Sequence, residues 1–293
     1  MTSLSIGFVG LGAMGGAVAR RLAGGPWSLA VHDLSTAAVA AVVAVGASAA
    51  KDAADAVAGR DVVFSCLPTP EMVEAFWAER IGDLKPGAVA VDLSTIDPGT
   101  SRRIADRIAA ETGASFVACT LGKTPALAEK GEIPVFVGGP APARAVIAPL
   151  VERMSNAVFD MGSVEGATIF KLISNLIGMT NLAVLAEGWL LAKAAGIEPA
   201  AFAAALATTG GWSTQAGIRL DWMTRGDFAP RFAVDLAAKD LRLSVDAAAR
   251  GGIPVPVASA ALSVFSLAHA AGHGRDDAAA IVAPLSPRTS PRT

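Results

Sequence analysis

No tyrosine occurs among the 293 residues, and that absence removes any dehydrogenase mechanism built on a tyrosine–lysine pair. Cysteine is nearly as scarce. Cys66 and Cys119 each lie within or at the end of an apolar, strand-like run, which predicts buried thiols rather than a disulfide framework. With two cysteines and three histidines there is no Cys/His cluster of the kind that holds a catalytic zinc, and no metal is expected. His269 and His273 stand four apart near the end of the chain. No carboxylate or thiol accompanies them in sequence, so they read as a solvated helix end. His32 sits beside an acid at a strand end and reads as an adenosine-side residue, which leaves lysine as the acid–base candidate.

Charge is sparse as well. Charged residues make up 17% of the chain and the formal net charge is -2, so there is no basic field for nucleic acid or an anionic membrane. The longest uncharged helical stretch, residues 172–186, reads as too short to span a bilayer and carries Asn175, Gly178 and Asn181. The chain runs at once into an apolar strand, so no signal peptide is expected and a cytoplasmic location is predicted.

What is present starts with glycine. Gly10, Gly12 and Gly15 stand in G-x-G-x-x-G spacing between an apolar run and a helical one. Glycine at the first position permits a tight strand-to-helix turn, and at the second it lets a pyrophosphate approach the backbone. At the third it lets the helix pack against its strand, with Leu11, Ala13 and Met14 completing the loop. A second strand, 28–32, ends at Asp33, the distance at which an acid grips ribose hydroxyls. No arginine follows Asp33, so NAD is favoured over NADP. A plain glycine-rich turn is the alternative.

The first half alternates strand and helix signals at short spacing, which predicts an α/β, doubly wound parallel sheet. Expected strands are 4–9, 28–32, 61–67, 88–93 and 115–119, with others near 133–137 and 157–161. Expected helices include 13–23, 37–45 and 100–111, the last started by Asp97-Pro98. After Gly162 strands cease. A long apolar helix, 166–195, leads to further helices at 200–208, 235–250 and 257–271. The organisation read from this is a nucleotide-binding domain (1–162), a connecting long helix (163–195), an all-helical substrate or oligomerisation domain (196–285) and a flexible tail (286–293). A helix apolar nearly all round is buried on several sides, by its own domain or by another subunit, so a homo-oligomer is expected.

Ligands of open parallel sheets sit at the carboxyl ends of strands. Leu67, Pro68 and Thr69 follow one strand there, and Ser94 and Thr95 follow another; they line the nicotinamide half of the cleft, or are ordinary proline turns and helix caps. Lys171 and Asn175, four apart, share one face of the long helix. Beside a nicotinamide, desolvation and the positive ring would bring the lysine's pKa towards the working pH for proton transfer. A lysine reaching along the helix to water is the other reading.

Taken together these segments resemble the β-hydroxyacid dehydrogenases, the group of 3-hydroxyisobutyrate dehydrogenase and tartronate semialdehyde reductase. The resemblance runs through G-F-V-G-L-G-A-M-G (7–15), C-L-P-T (66–69), D-L-S-T-I-D-P (92–98), G-E-I-P-V-F-V-G-G (131–139), K-L-I-S-N (171–175) and A-K-D-L (238–241). It implies a Rossmann domain, a long linking helix and a helical domain, in a homodimer or homotetramer. It also implies NAD(P)-linked interconversion of a small anionic 3-hydroxy acid and its semialdehyde. Lys171 falls on the family's catalytic lysine and Asn175 on its partner, while Lys239 falls on a lysine that closes over the cofactor, with Phe232 nearby in a similar role.

Two positions depart from the family pattern. Gly122-Lys123-Thr124 replaces the usual Ser-Gly-Gly substrate loop, exchanging a hydroxyl for an ammonium. It is no Walker A loop, since Val117 stands where that motif needs glycine. It is similar to the sulfolactaldehyde reductase branch, where this loop receives a sulfonate, and implies a terminal anion on the substrate. Ala167 stands where the family has glycine, one turn before Lys171. An imine reductase and a non-catalytic cofactor-binding protein share this architecture; both typically lack the lysine that is present here.

Overall fold

The computed structural model describes residues 4–286, so most of the expected tail, 287–293, lies outside the described residues. The chain divides into two compact units at Lys171/Leu172, inside the long helix rather than before it.

The first unit alternates strands and helices: β1 (Ser5–Val9), α1 (Ala13–Ala23), β2 (Ser28–His32), α2 (Thr36–Val43), β3 (Ser48–Ala49), α3 (Ala53–Val57), β4 (Val62–Ser65), α4 (Pro70–Arg80), β5 (Val89–Asp92), α5 (Pro98–Thr112), β6 (Ser115–Leu121), α6 (Pro125–Ala128), β7 (Pro134–Gly138), α7 (Ala141–Met154) and β8 (Ala157–Asp160). The strands form one sheet in the order β3-β2-β1-β4-β5-β6-β7-β8. All neighbours are parallel except β6 and β7, whose antiparallel pairing turns β8 round as well. The expected sheet is therefore mixed at one end, because the connection between β6 and β7 (with α6 within it) returns the chain beside β6 instead of crossing over.

Apolar runs bury both faces of this sheet. Ile6, Phe8, Phe64 and Val91 pack with α1 and α7 on one side; Val63, Ala90 and Phe116 pack with α4 and α5 on the other. Full burial of such a side chain contributes about 1.5–3 kcal/mol. Cys119 lies inside β6, and burial together with the charge of Asp92 pushes its thiol up to about 12. Cys66, just past β4, is only half-buried, which corrects the expectation for one of the two thiols.

The long helix, α8 (Val164–Ala194), begins in the first unit and enters the second. It has 31 residues and contains an 18-residue stretch of mean hydropathy 1.6, so it is long and apolar enough to cross a membrane by length and composition, contrary to the reading of its uncharged core as too short. Within the second unit one side of it, with Met179, Leu182, Ala186 and Trp189, is buried in a helical core. That core is completed by α9 (Pro199–Leu206), α10 (Thr214–Arg225), α11 (Val234–Arg250), α12 (Pro256–Ala268) and α13 (Val282–Leu285). Ala167, the departure from glycine, is fully buried, and its methyl faces Gly138, where an added Cβ would lie 3.1 Å from it and 1.9 Å from the Ser163 carbonyl.

Candidate active site

Strands after β1 are added first on one side of it (β2, β3) and then, from β4, on the other, so the β1/β4 boundary is the switch point at which open α/β sheets bind ligands. The loop Gly10–Gly12 leaves β1 there. Gly10 adopts φ +93, and an added Cβ would meet the Cys66 carbonyl at 2.3 Å. Gly15 backs onto the loop, where a Cβ would lie 2.1 Å from the Gly10 carbonyl. Gly12 is different: it caps α1 in ordinary extended geometry, and nothing lies within 4 Å of an added Cβ. Glycine at 10 and 15 is thus required by the protein's own backbone, whereas the space at Gly12 is open to solvent. Above it stand the first-turn N–H groups of α1, including those of Ala13, Met14 and Gly15, which have no helical acceptor. Open space, backbone donors and a positive dipole end fit a pyrophosphate.

Asp33 completes this half. Its Oδ2 accepts from Leu11 N at 2.6 Å and its Oδ1 from Ser35 N at 2.7 Å. An ionised carboxylate has about four acceptor sites, so lone pairs remain for a ribose diol. The Leu11 N–H is committed to Asp33 and its side chain is buried, so Leu11 ties the loop to the end of β2.

At the next strand ends Ser94 is also turned inward. It is 3% exposed, donates to Asp92 Oδ1 at 2.7 Å and accepts from Leu67 N at 2.9 Å. Ser65 donates to the same Asp92 oxygen, and Trp77 Nε1 donates to Ser65. The Ser94 hydroxyl therefore has no donor left for a substrate; it fixes the Leu67 loop instead. Thr69 caps α4 by accepting from Met72 N, as Asp97 caps α5 from Gly99 N and Thr100 N. Pro68 is exposed, and Thr95 is half-buried beside Ser94.

Lys123 is the one non-glycine residue with positive φ among the described residues, at φ 61. For a side-chain-bearing residue this conformation costs about 1–2 kcal/mol. Its Nζ donates to the Glu132 carbonyl at 2.9 Å, which draws the ammonium across the loop. Gly122 N donates to the Pro134 carbonyl at 2.9 Å, and half-buried Thr124 precedes α6 without capping it through its side chain.

On α8, half-buried Lys171 and Asn175 lie four residues apart on one face. Within the second unit, Asn175 Nδ2 donates to Asp240 Oδ2 at 2.6 Å, and Lys239 Nζ lies 3.0 Å from Asp240 Oδ1. Asp277, wholly buried, accepts from Arg219 Nε at 3.1 Å and from the backbone N–H of Phe232 and Ala279 at 3.0 Å. That buried pair pins the segment bearing Phe232. Sequence reasoning missed Asp240 and Asp277, since their partners lie 65 and 45–58 residues away. His269 and His273 each meet an aspartate after all, Asp235 and Asp276, at 2.7 Å. Among the described residues no group of three metal-ligating side chains forms.

Known proteins resemble this chain over nearly its whole length. Residues 5–162 match the model of the NAD binding domain of 6-phosphogluconate dehydrogenase. Residues 166–285 match that of the NAD-binding domain of NADP-dependent 3-hydroxyisobutyrate dehydrogenase. The chain belongs to the β-hydroxyacid dehydrogenase family. It is 32% identical to 2-(hydroxymethyl)glutarate dehydrogenase of Eubacterium barkeri over 96% of this chain and 94% of that protein. To 3-sulfolactaldehyde reductase of Escherichia coli K12 it is 31% identical, over 95% and 94%. A crystal structure of 3-hydroxyisobutyrate dehydrogenase from Salmonella typhimurium superposes with TM-score 0.89 at 28% identity, covering 96% of this chain and 99% of that one. As a β-hydroxyacid dehydrogenase the protein is an NAD(P)-dependent oxidoreductase.

Proposed function

We propose that this β-hydroxyacid dehydrogenase uses NAD to interconvert a small anionic 3-hydroxy acid, or hydroxy-sulfonate, and its semialdehyde, with Lys171 as general acid/base. The observation that carries the reading is the placement of Lys171 and Asn175 on one face of α8 in a chain without tyrosine. When bound, the nicotinamide exchanges hydride with the carbinol carbon. Lys171 as the free amine takes the hydroxyl proton during oxidation; as the ammonium it returns that proton to the carbonyl oxygen during reduction. Asn175 orients the same oxygen. Ala13, Met14 and Gly15 hold the pyrophosphate through backbone N–H groups. Asp33 supports NAD over NADP, because its carboxylate is fixed by two backbone N–H bonds and would face a 2′-phosphate as a like charge. Leu67, Pro68, Thr69, Thr95, Phe232 and Lys239 complete the cofactor's surroundings in this reading. An NADH-linked assay with 3-hydroxy acids tests it, and absence of turnover with bound NAD would refute it.

Lys123 and Thr124 are the proposed seat of the substrate's terminal anion. Backbone strain is stored where function requires it, and glycine would remove the strain at position 123. Lys123→Gly should therefore raise KM for the anionic substrate about tenfold, the scale of one hydrogen bond to a charged group. It should also raise unfolding stability by about 1 kcal/mol through relief of the left-handed conformation. Steady-state kinetics and thermal melts read the two effects, and an unchanged KM would exclude the anion role.

The exposed side of α8 supports a homo-oligomer. Phe170, Ile177, Val184 and Leu191 recur every seventh residue and are exposed, with Ser174, Asn181 and Gly188 between them. No charge falls in this stripe, and apolar stripes of this length on a helix are normally covered. Sedimentation should give a dimer or tetramer that Ile177→Asp dissociates; a wild-type monomer would contradict this. A cytoplasmic location is part of the proposal.

A further inference from the structure

Asp240 is 2% exposed, and a carboxylate so deeply buried persists only with partners. It has two of them, one on each oxygen. Oδ2 accepts from Asn175 Nδ2 at 2.6 Å, and Oδ1 lies 3.0 Å from the ammonium of Lys239, its counter-charge. One turn further along α11, Ser244 Oγ donates to the carbonyls of Asp240 and Leu172 at 2.7 and 3.1 Å, fastening α11 to α8 beside this contact. The helices are thus already joined by a neutral side chain, and the carboxylate adds something a neutral residue would not.

What it adds is direction. A side-chain amide has a donor end and an acceptor end, and a neutral partner such as another amide could meet either. An ionised carboxylate only accepts, so it compels Asn175 to turn its NH2 towards Asp240 and its carbonyl oxygen away. We propose that Asp240 is a positioning residue for the reaction: it sets the Asn175 amide so that Oδ1, an acceptor only, is the end that meets the reacting groups. An acceptor there takes a hydrogen bond from the Lys171 ammonium or from the substrate hydroxyl. A donor there would compete with Lys171 for the substrate oxygen and stabilise the wrong protonation state. The inference rests on the acid/base role proposed for Lys171.

The test is a double-mutant cycle on the intact enzyme with Asp240→Asn, Asn175→Ala and both, with circular dichroism melts and NADH titration confirming folded, cofactor-binding protein. Asp240→Asn is isosteric and lets the amide turn. Each single substitution should lower kcat about 10–100-fold, the scale for residues that orient a reacting group's partner. The double variant should be no slower than Asn175→Ala to within about twofold, because residues acting through one another are not additive. Wild-type kcat in Asp240→Asn, or losses that multiply in the double variant, would overturn the proposal. Should Asp240→Asn fail to fold, Asp240→Ser takes its place in the same cycle. Lys171→Ala is measured alongside. Retained turnover there removes the acid/base reading itself, whereas loss there with normal turnover in Asp240→Asn removes only the positioning role.

Discussion

Lys171→Ala should lower kcat by about 10²–10⁴-fold, the usual contribution of a positioned general acid or base. The size of the effect follows from what else the chain can offer. Tyrosine is absent, and no three metal-ligating side chains gather among the described residues. His269 and His273 face aspartates near the far end of the chain, and His32 ends β2, its backbone carbonyl accepting from Gly10 N. Nucleotide affinity should survive the substitution, because the phosphate and ribose contacts are proposed for α1 and Asp33. NADH titration by fluorescence separates the two quantities. Turnover within a few-fold of the parent enzyme would remove Lys171 from the chemistry.

Gly12→Ala should separate binding from folding more cleanly than any other change in the glycine loop. At φ -60 an alanine is conformationally ordinary, and its methyl would touch nothing in the protein. The variant should therefore melt like the parent. The methyl would instead stand in the approach proposed for the pyrophosphate, and overpacking of that kind costs about 1–3 kcal/mol, a fall in NAD affinity of about 10–100-fold. Gly15→Ala should behave in the opposite sense. Its Cβ would lie 2.1 Å from the Gly10 carbonyl, so α1 must move and the whole domain loses stability. Calorimetry and NADH titration on the pair give the comparison. Wild-type affinity in Gly12→Ala would mean that the open space above α1 is not a phosphate cradle.

Much of the first unit was legible because buried parallel strands are short apolar runs and their helices are punctuated. β1 and β2 fall where the pattern of residues 4–9 and 28–32 puts them, and α5 starts at the Asp97-Pro98 cap. Elements with too few residues to show a period were not legible: β3 has two residues, α3 five and α6 four. The reversal of β7 was hidden as well, since a buried strand reads the same in either direction. α7 carries Pro149 inside it, which masks a helical signal.

The candidate site divides along similar lines. Gly10, Gly12, Gly15 and Asp33 act through local backbone geometry that spacing encodes. Leu11 and Ser94 stand in the right loops but spend their polar groups inward, which only the hydrogen bonds reveal. Asp240 was invisible as a partner of Asn175 because that contact joins α8 to α11. The strain at Lys123 could have been suspected, since a glycine position of the related loop carries a side chain here.

The most direct measurement of the central claim is NADH formation with a panel of 3-hydroxy acids: 3-hydroxyisobutyrate, glycerate, serine, threonate and dihydroxypropanesulfonate, each run with NAD and with NADP. Turnover with at least one of them, faster with NAD than with NADP and abolished by Lys171→Ala, is the predicted result. An enzyme that binds NAD and oxidises none of them, or whose turnover is indifferent to Lys171, would contradict it.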